Sequence, residues 1–210
     1  MIADLVKGKR VVFVGPSPIL QGLGRGSVID NFDVVVKTNN LPGMKGFDED
    51  YGQRCDIIYM NHQYNNEMKH LPFTLWKRRG MKVVCAKSNP HNRNANTAKF
   101  FHVRDLPYDK LAAHIKEAKA QTMGLILMID LLTMKPESID VMGIDCYSGQ
   151  RNSYIDGYIP KTVASYAKKN GIEFQNPPDT HPRRLHCPFR QAMAWFDLDA
   201  TDERVNIHDI

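Results

Sequence analysis

The chain has 210 residues, 42% of them hydrophobic and 24% charged, with a formal net charge of +5 and an isoelectric point near 9.0. That length buries a sizeable core without disulfide or metal staples and suits one large domain. The composition is ordinary for a globular protein, and Lys77-Arg78-Arg79 is too short a basic run for a nucleic-acid patch, so nucleic acid is not an expected partner.

Cys55, Cys85, Cys146 and Cys187 lie far apart with no CxxC pair, which leaves zinc unsupported. Cys55 and Cys85 sit in apolar contexts and are expected to be reduced core residues. Met1-Ile2-Ala3-Asp4 lacks the basic start and apolar run of a signal peptide, and no stretch of 18 apolar residues occurs. The expected address is the cytoplasm, with no transmembrane segment.

Val11-Val12-Phe13-Val14 is an apolar run closed by Gly15-Pro16-Ser17-Pro18, which reads as a buried strand. Further strands are predicted at 33–37, 56–60, 82–86, 100–103, 139–142 and 172–174. Helical patterns fill 67–79, 108–119, 122–134 and 162–170, the third apolar enough to be buried. Alternating strands and helices predict a doubly wound, mostly parallel α/β sheet. The pattern breaks at Pro177-Pro178. Residues 1–176 are therefore read as the ligand-binding domain and 177–210 as a tail packed on it, with one short helix at 188–196.

In such sheets ligands sit beyond the carboxyl ends of the strands. The loop after the first strand carries Gly15, Gly22, Gly24 and Gly26, and glycines let backbone amides approach a phosphate. The spacing is neither GxGxxG nor GxxxxGK[ST], so the loop reads equally as a flexible turn. Asp48-Glu49-Asp50 has the DxD spacing that holds a metal in many sugar transferases. It reads here as a solvated loop, and no metal is expected.

Two blocks carry a resemblance. The first runs Val12-Phe13-Val14-Gly15-Pro16-Ser17, then Gly22-Leu23-Gly24-Arg25-Gly26, then Ile29-Asp30 and Asp33-Val34-Val35-Val36-Lys37-Thr38-Asn39. It resembles the large sialyl motif of eukaryotic sialyltransferases and is also similar to bacterial CMP-sialic-acid transferases, whose strand ending in Tyr-Asn matches Tyr59-Met60-Asn61. The second runs Thr122-Met123-Gly124, a buried helix, then Val141-Met142-Gly143-Ile144-Asp145-Cys146-Tyr147, and is similar to the small sialyl motif.

The resemblance implies a Rossmann-like fold of the glycosyltransferase A type. It also implies an inverting transferase that moves sialic acid or a related ulosonic acid from a CMP-sugar donor to a glycan or glycolipid acceptor, with no cofactor. It assigns Gly15, Ser17, Asn39, Asn61, Thr122 and Gly124 to the donor nucleotide, and Tyr147 and Tyr154 to the departing phosphate. Ordinary roles compete at each position: a turn at Ser17, strand or helix caps at Asn39 and Asn61, and an N-cap at Thr122.

The match departs from the family at Pro16, where an Asn is usual, and at the base, where the histidine expected near 154–156 is absent. Asp156 stands in that segment and a carboxylate is chemically adequate. His186, followed by Gln191, mimics a His-x4-Glu motif but follows the last predicted strand. Two other readings stay open: a non-catalytic nucleotide-binding protein of the same fold, and a basic nucleic-acid-binding module.

Overall fold

The computed structural model describes residues 2–39, 41–60, 73–87, 95–115, 122–146, 155 and 188–208. Among the described residues, seven strands form one sheet: β1 (Arg10–Val14), β2 (Val34–Thr38), β3 (Ile57–Met60), β4 (Val83–Lys87), β5 (His102–Leu106), β6 (Ser138–Met142) and β7 (Val205–Ile207). Their spatial order is β5-β4-β3-β2-β1-β6-β7, and every neighbouring pair is parallel. The chain builds outward from β1 to β5, then returns to place β6 on the other side of β1.

Each central strand is buried on both faces, so its side chains alternate between two cores. Val11 and Phe13 of β1, with Val34, Val36, Tyr59, Cys85, Ile139 and Val141, pack under the helices Ile2–Val6, Tyr108–Ala112, Met123–Thr133 and Pro188–Thr201. Val12, Val14, Val35 and Met142 face the opposite side, under Leu20, Ile29 and Tyr51. Ile58, Met60 and Val84 continue that side against Trp76 and Phe101. The helix Met123–Thr133 is almost wholly apolar, and it is buried as its sequence predicts.

Two expectations need correction, the start of the fifth strand and the end of the tail helix. The fifth strand begins two residues later than the sequence suggested. Phe100 and Phe101 precede it and pack on Phe73, while the alternating His102–Leu106 segment forms an edge strand. The tail also adds a strand that the sequence did not suggest: Val205–Ile207 pairs with β6 in register, Ile139 opposite Val205. The tail helix runs Pro188–Thr201, one turn beyond the predicted end at 196. The predicted strand at 172–174, the helix at 162–170 and the boundary at 176 lie outside the described residues.

Lys37 ends the apolar run of β2 with 1% of its surface exposed, its Nζ donating to the Gly52 carbonyl at 2.6 Å. Burial pushes its ammonium down from 10.5 to about 8, against the opposing pull of Cys55. Between those two values the unfolded chain holds a proton that the folded chain releases. Stability therefore gains a contribution as pH rises from about 8 to 10.5, and below 8 the burial penalty is constant. Urea denaturation across this window is expected to show a steeper rise for the native chain than for Lys37→Met, by up to roughly 1.4 kcal/mol per pH unit. Parallel pH profiles would show that Lys37 keeps its proton at an ordinary value.

Candidate functional site

The sheet reverses its winding between β1 and β6. This is the topological switch point at which doubly wound proteins bind ligands. Gly15 follows β1 and Gly143 follows β6. A Cβ on Gly15 would stand 2.4 Å from the Gly143 carbonyl oxygen, and one on Gly143 would stand 2.7 Å from the Gly15 oxygen. Gly143 also has φ +73°, a conformation that side chains resist. The two glycines let the loops leaving β1 and β6 touch at the switch point. The Gly15 amide donates to Met142 O at 2.8 Å, continuing the ladder, so its N–H is spent on the fold.

Ser17 is buried and held three ways. Its amide donates to Gly143 O at 3.0 Å, its Oγ accepts from the Ile19 amide at 3.3 Å, and its carbonyl accepts from Tyr51 Oη at 2.6 Å. Burial, and then the charge of Asp50, raise the Tyr51 phenol well above its ordinary value, so it stays a donor. The turn role weighed for Ser17 is thus present, since its hydroxyl caps the short Pro18–Leu20 turn of 3-10 helix.

Asn39 lies one residue beyond β2, buried, with φ +47° and its amide donating to Tyr59 O at 2.9 Å. Three non-glycine residues among those described have positive φ, and two of them, Asn39 and Cys146, follow strands at the carboxyl edge of the sheet. Backbone strain of this kind collects at binding sites because the surrounding fold must hold it in place. Burial, then Asp145, pushes the Cys146 thiol up to about 12, which makes it a packing residue rather than a nucleophile.

Thr122 is the N-cap residue of the helix Met123–Thr133, yet its side chain makes no capping bond. Its Oγ1 instead meets Gln191 Oε1 of the tail helix at 3.4 Å. A Cβ on Gly124 would lie 3.2 Å from Trp195 and 3.6 Å from Phe13, so glycine here admits the tail helix. Trp195 stacks on Phe13 at 6.2 Å and 18°. Phe13 is the penultimate residue of β1, which sets the Thr122 end of the helix at the carboxyl end of the sheet. Ile155 is anchored there too, its amide donating to Pro16 O at 2.9 Å. Asn61, Tyr147, Tyr154, Asp156 and His186 lie outside the described residues.

The acidic triplet and the glycine loop turn out to be partners. Asp50 accepts the Gly22 amide on Oδ2 and the Gly24 amide on Oδ1, both at 2.9 Å. Asp48 pairs with the buried Arg79 at 2.7 Å. Both outer carboxylates of the DxD pattern are therefore engaged by protein. Sequence reasoning found neither this bond nor the Tyr51 bond, because nothing in the spacing couples residues 22 and 50.

These features define a doubly wound α/β protein whose glycine-bearing loops meet at the switch point. The family model for glycosyltransferase family 29 (sialyltransferase) matches residues 6–119, more than half of the chain, and the chain belongs to that family and is a glycosyltransferase. No curated protein matches its sequence.

Solved sialyltransferases share the fold. The sialyltransferase CstII from Campylobacter jejuni in complex with cytidine-5'-monophosphate superposes with a TM-score of 0.62 at 16% identity, covering 96% of this chain and 80% of that one. The same enzyme in complex with CMP-3FNeuAc gives 0.57 at 15% identity, covering 95% and 79%. A mammalian sialyltransferase in complex with Gal-beta-1-3GalNAc-ortho-nitrophenol gives 0.57 at 12% identity, covering 98% and 71%. Among the described residues, no helix is long and apolar enough to cross a membrane.

Proposed function

We propose that this chain transfers sialic acid or a related ulosonic acid from a CMP-sugar to a glycan or glycolipid acceptor, with inversion at the anomeric carbon. The observation that carries this reading is the family match, which spans β1 to β5 and includes Gly15, Ser17 and Asn39 in the loops after β1 and β2. Asn39, held in a left-handed conformation at the end of β2, and Thr122, with its hydroxyl turned away from capping, hold the cytidine and ribose. Tyr147 and Tyr154 donate hydrogen bonds to the departing monophosphate.

A general base takes the proton from the acceptor hydroxyl as CMP leaves the opposite face. His186 is the preferred base. The expectation that it follows the last strand lapses once Val205–Ile207 is the seventh strand of the sheet. The helix after it also begins beside Thr122, through Gln191. Asp156 is the second candidate, supported by the anchoring of its neighbour Ile155 on Pro16. The reaction proceeds without a metal, since the leaving group carries a single phosphate and Asp48 and Asp50 are engaged elsewhere. The free, buried thiols of Cys55, Cys85 and Cys146 support a reducing compartment, the cytoplasm.

Calorimetry with CMP, CDP and UMP tests the donor assignment. CMP is expected to bind more tightly than either, equally well with and without chelator. Asn39→Ala is expected to weaken CMP by about 1–3 kcal/mol if it removes a buried hydrogen bond. Equal affinity for CMP and UMP would overturn the cytidine reading.

A further inference from the structure

The loop after β1 closes its first turn by itself, and the Asp48–Tyr51 helix braces the rest. Gly22 and Gly24 have φ of +80° and +61°, and a Cβ on either would meet nothing within 4 Å. The glycines are thus needed for backbone conformation rather than for space. They turn two alternate amides toward one side of the loop, while the Leu23 amide between them donates to Leu20 O at 3.1 Å, and amides gathered in this way favour an anion. Here the anion is Asp50, one carboxylate oxygen per amide, each at 2.9 Å.

Two further contacts from the same short helix fix the loop on either side. Tyr51 Oη donates to Ser17 O at 2.6 Å. Gly26 comes so close to the Asp48 carbonyl oxygen that a Cβ there would stand 2.1 Å from it. Ser17, the Gly22-to-Gly24 turn and Gly26 are thereby pinned at three successive places.

We propose that Asp50 is a positioning residue for the donor site. Its carboxylate fills the anion cradle of the loop and sets the loop in its binding conformation before the donor arrives. The proposal rests on the reading that this loop borders the CMP-sugar. It gives the acidic triplet a purpose distinct from metal binding. The energy appears in donor affinity, because a loop that must order on binding subtracts that cost from the affinity, while the chemical step in the occupied site is untouched.

Asp50→Ala is expected to raise the Kd for CMP and the KM for donor about tenfold or more, as loss of two charge-assisted bonds implies, with kcat changed less than about threefold. Formate or acetate at tens of millimolar is expected to enter the vacated cradle and restore part of the affinity in Asp50→Ala but not alter the native chain. Asp50→Asn, which keeps one acceptor, is expected to fall between, and it serves where the alanine variant does not fold.

A lowered melting temperature with an unchanged Kd for CMP would overturn the proposal, leaving Asp50 a stabilising residue only. Amide exchange at Gly22 and Gly24, read by NMR without any nucleotide, is expected to quicken at least tenfold in the variants. Unchanged exchange would overturn the brace itself. If the native chain bound no CMP while exchange quickened, the donor assignment would fail and the brace would stand.

Discussion

Replacing His186 by alanine is expected to lower the rate of sialyl transfer by about 10²–10⁴ while leaving the affinity for CMP unchanged. An imidazole with an ordinary pKa titrates near neutrality, so it both accepts the acceptor proton and stays available at working pH. Single-turnover kinetics with CMP calorimetry as the folding control reads the effect. Asp156→Asn is expected to keep most of its rate. The reverse result, with His186→Ala active and Asp156→Asn inactive, would assign the base to the carboxylate. Full activity in both would remove the base from the two segments. The pH profile separates the two candidates further, since loss of a histidine base removes an inflection near neutrality and loss of a carboxylate removes one well below it.

Asp130→Ala is expected to cost about 3–5 kcal/mol, a large part of the roughly 5–15 kcal/mol that a domain has in total. Asp130 is the one charged group in the apolar helix Met123–Thr133, and its side chain is 2% exposed. Arg104 of β5 engages it in a two-pronged pair, Nη2 to Oδ1 at 2.8 Å and Nη1 to Oδ2, and Tyr59 of β3 donates to Oδ2 at 2.7 Å. The Asp130 side-chain bond holds the Arg104 guanidinium firmly charged, and burial keeps the Tyr59 phenol protonated. Removing the carboxylate leaves both donors beneath the helix without their acceptor. Urea denaturation measures the loss. The double replacement Asp130→Leu with Arg104→Met is expected to recover most of it, because a buried ion pair contributes little over a well-packed apolar pair. A loss below 1 kcal/mol for Asp130→Ala would show that water reaches the site.

Much of the fold was legible because burial on both faces writes itself as continuous apolar runs. Val11 to Val14, Val34 to Val36 and Ile57 to Met60 have no polar interruption, and the breakers that close them set the loops at the carboxyl edge. The edge strands were harder to read. His102–Leu106 carries Arg104 and Asp105, and Val205–Ile207 is three residues long with Asn206 at its centre, so neither has an apolar run to report. Phe100 and Phe101 drew the fifth strand too early because an aromatic pair looks the same whether it enters a sheet or packs beneath one.

At the site, Gly15, Ser17, Asn39, Thr122 and Gly124 were chosen by resemblance, and all lie in the loops and helix start at the carboxyl edge. Their local reasons were not legible. Gly124 is small for the sake of Trp195, and Gly15 for the sake of Gly143, partners more than 70 residues away in each case.

The strand order also governs how the chain reaches this state. Val11 pairs with Val34 on one side and with Ile139 on the other. The first contact closes a short loop, and the second waits until most of the chain is available, which is the slower kind of event. During that wait the valine-rich β1 offers an unpaired edge, a template for other chains. The junction between β1 and β6 is therefore expected to assemble after the β1-to-β5 part of the sheet. Slowing synthesis or supplying a holdase chaperone should raise the yield of active protein more than it raises the yield of soluble chain.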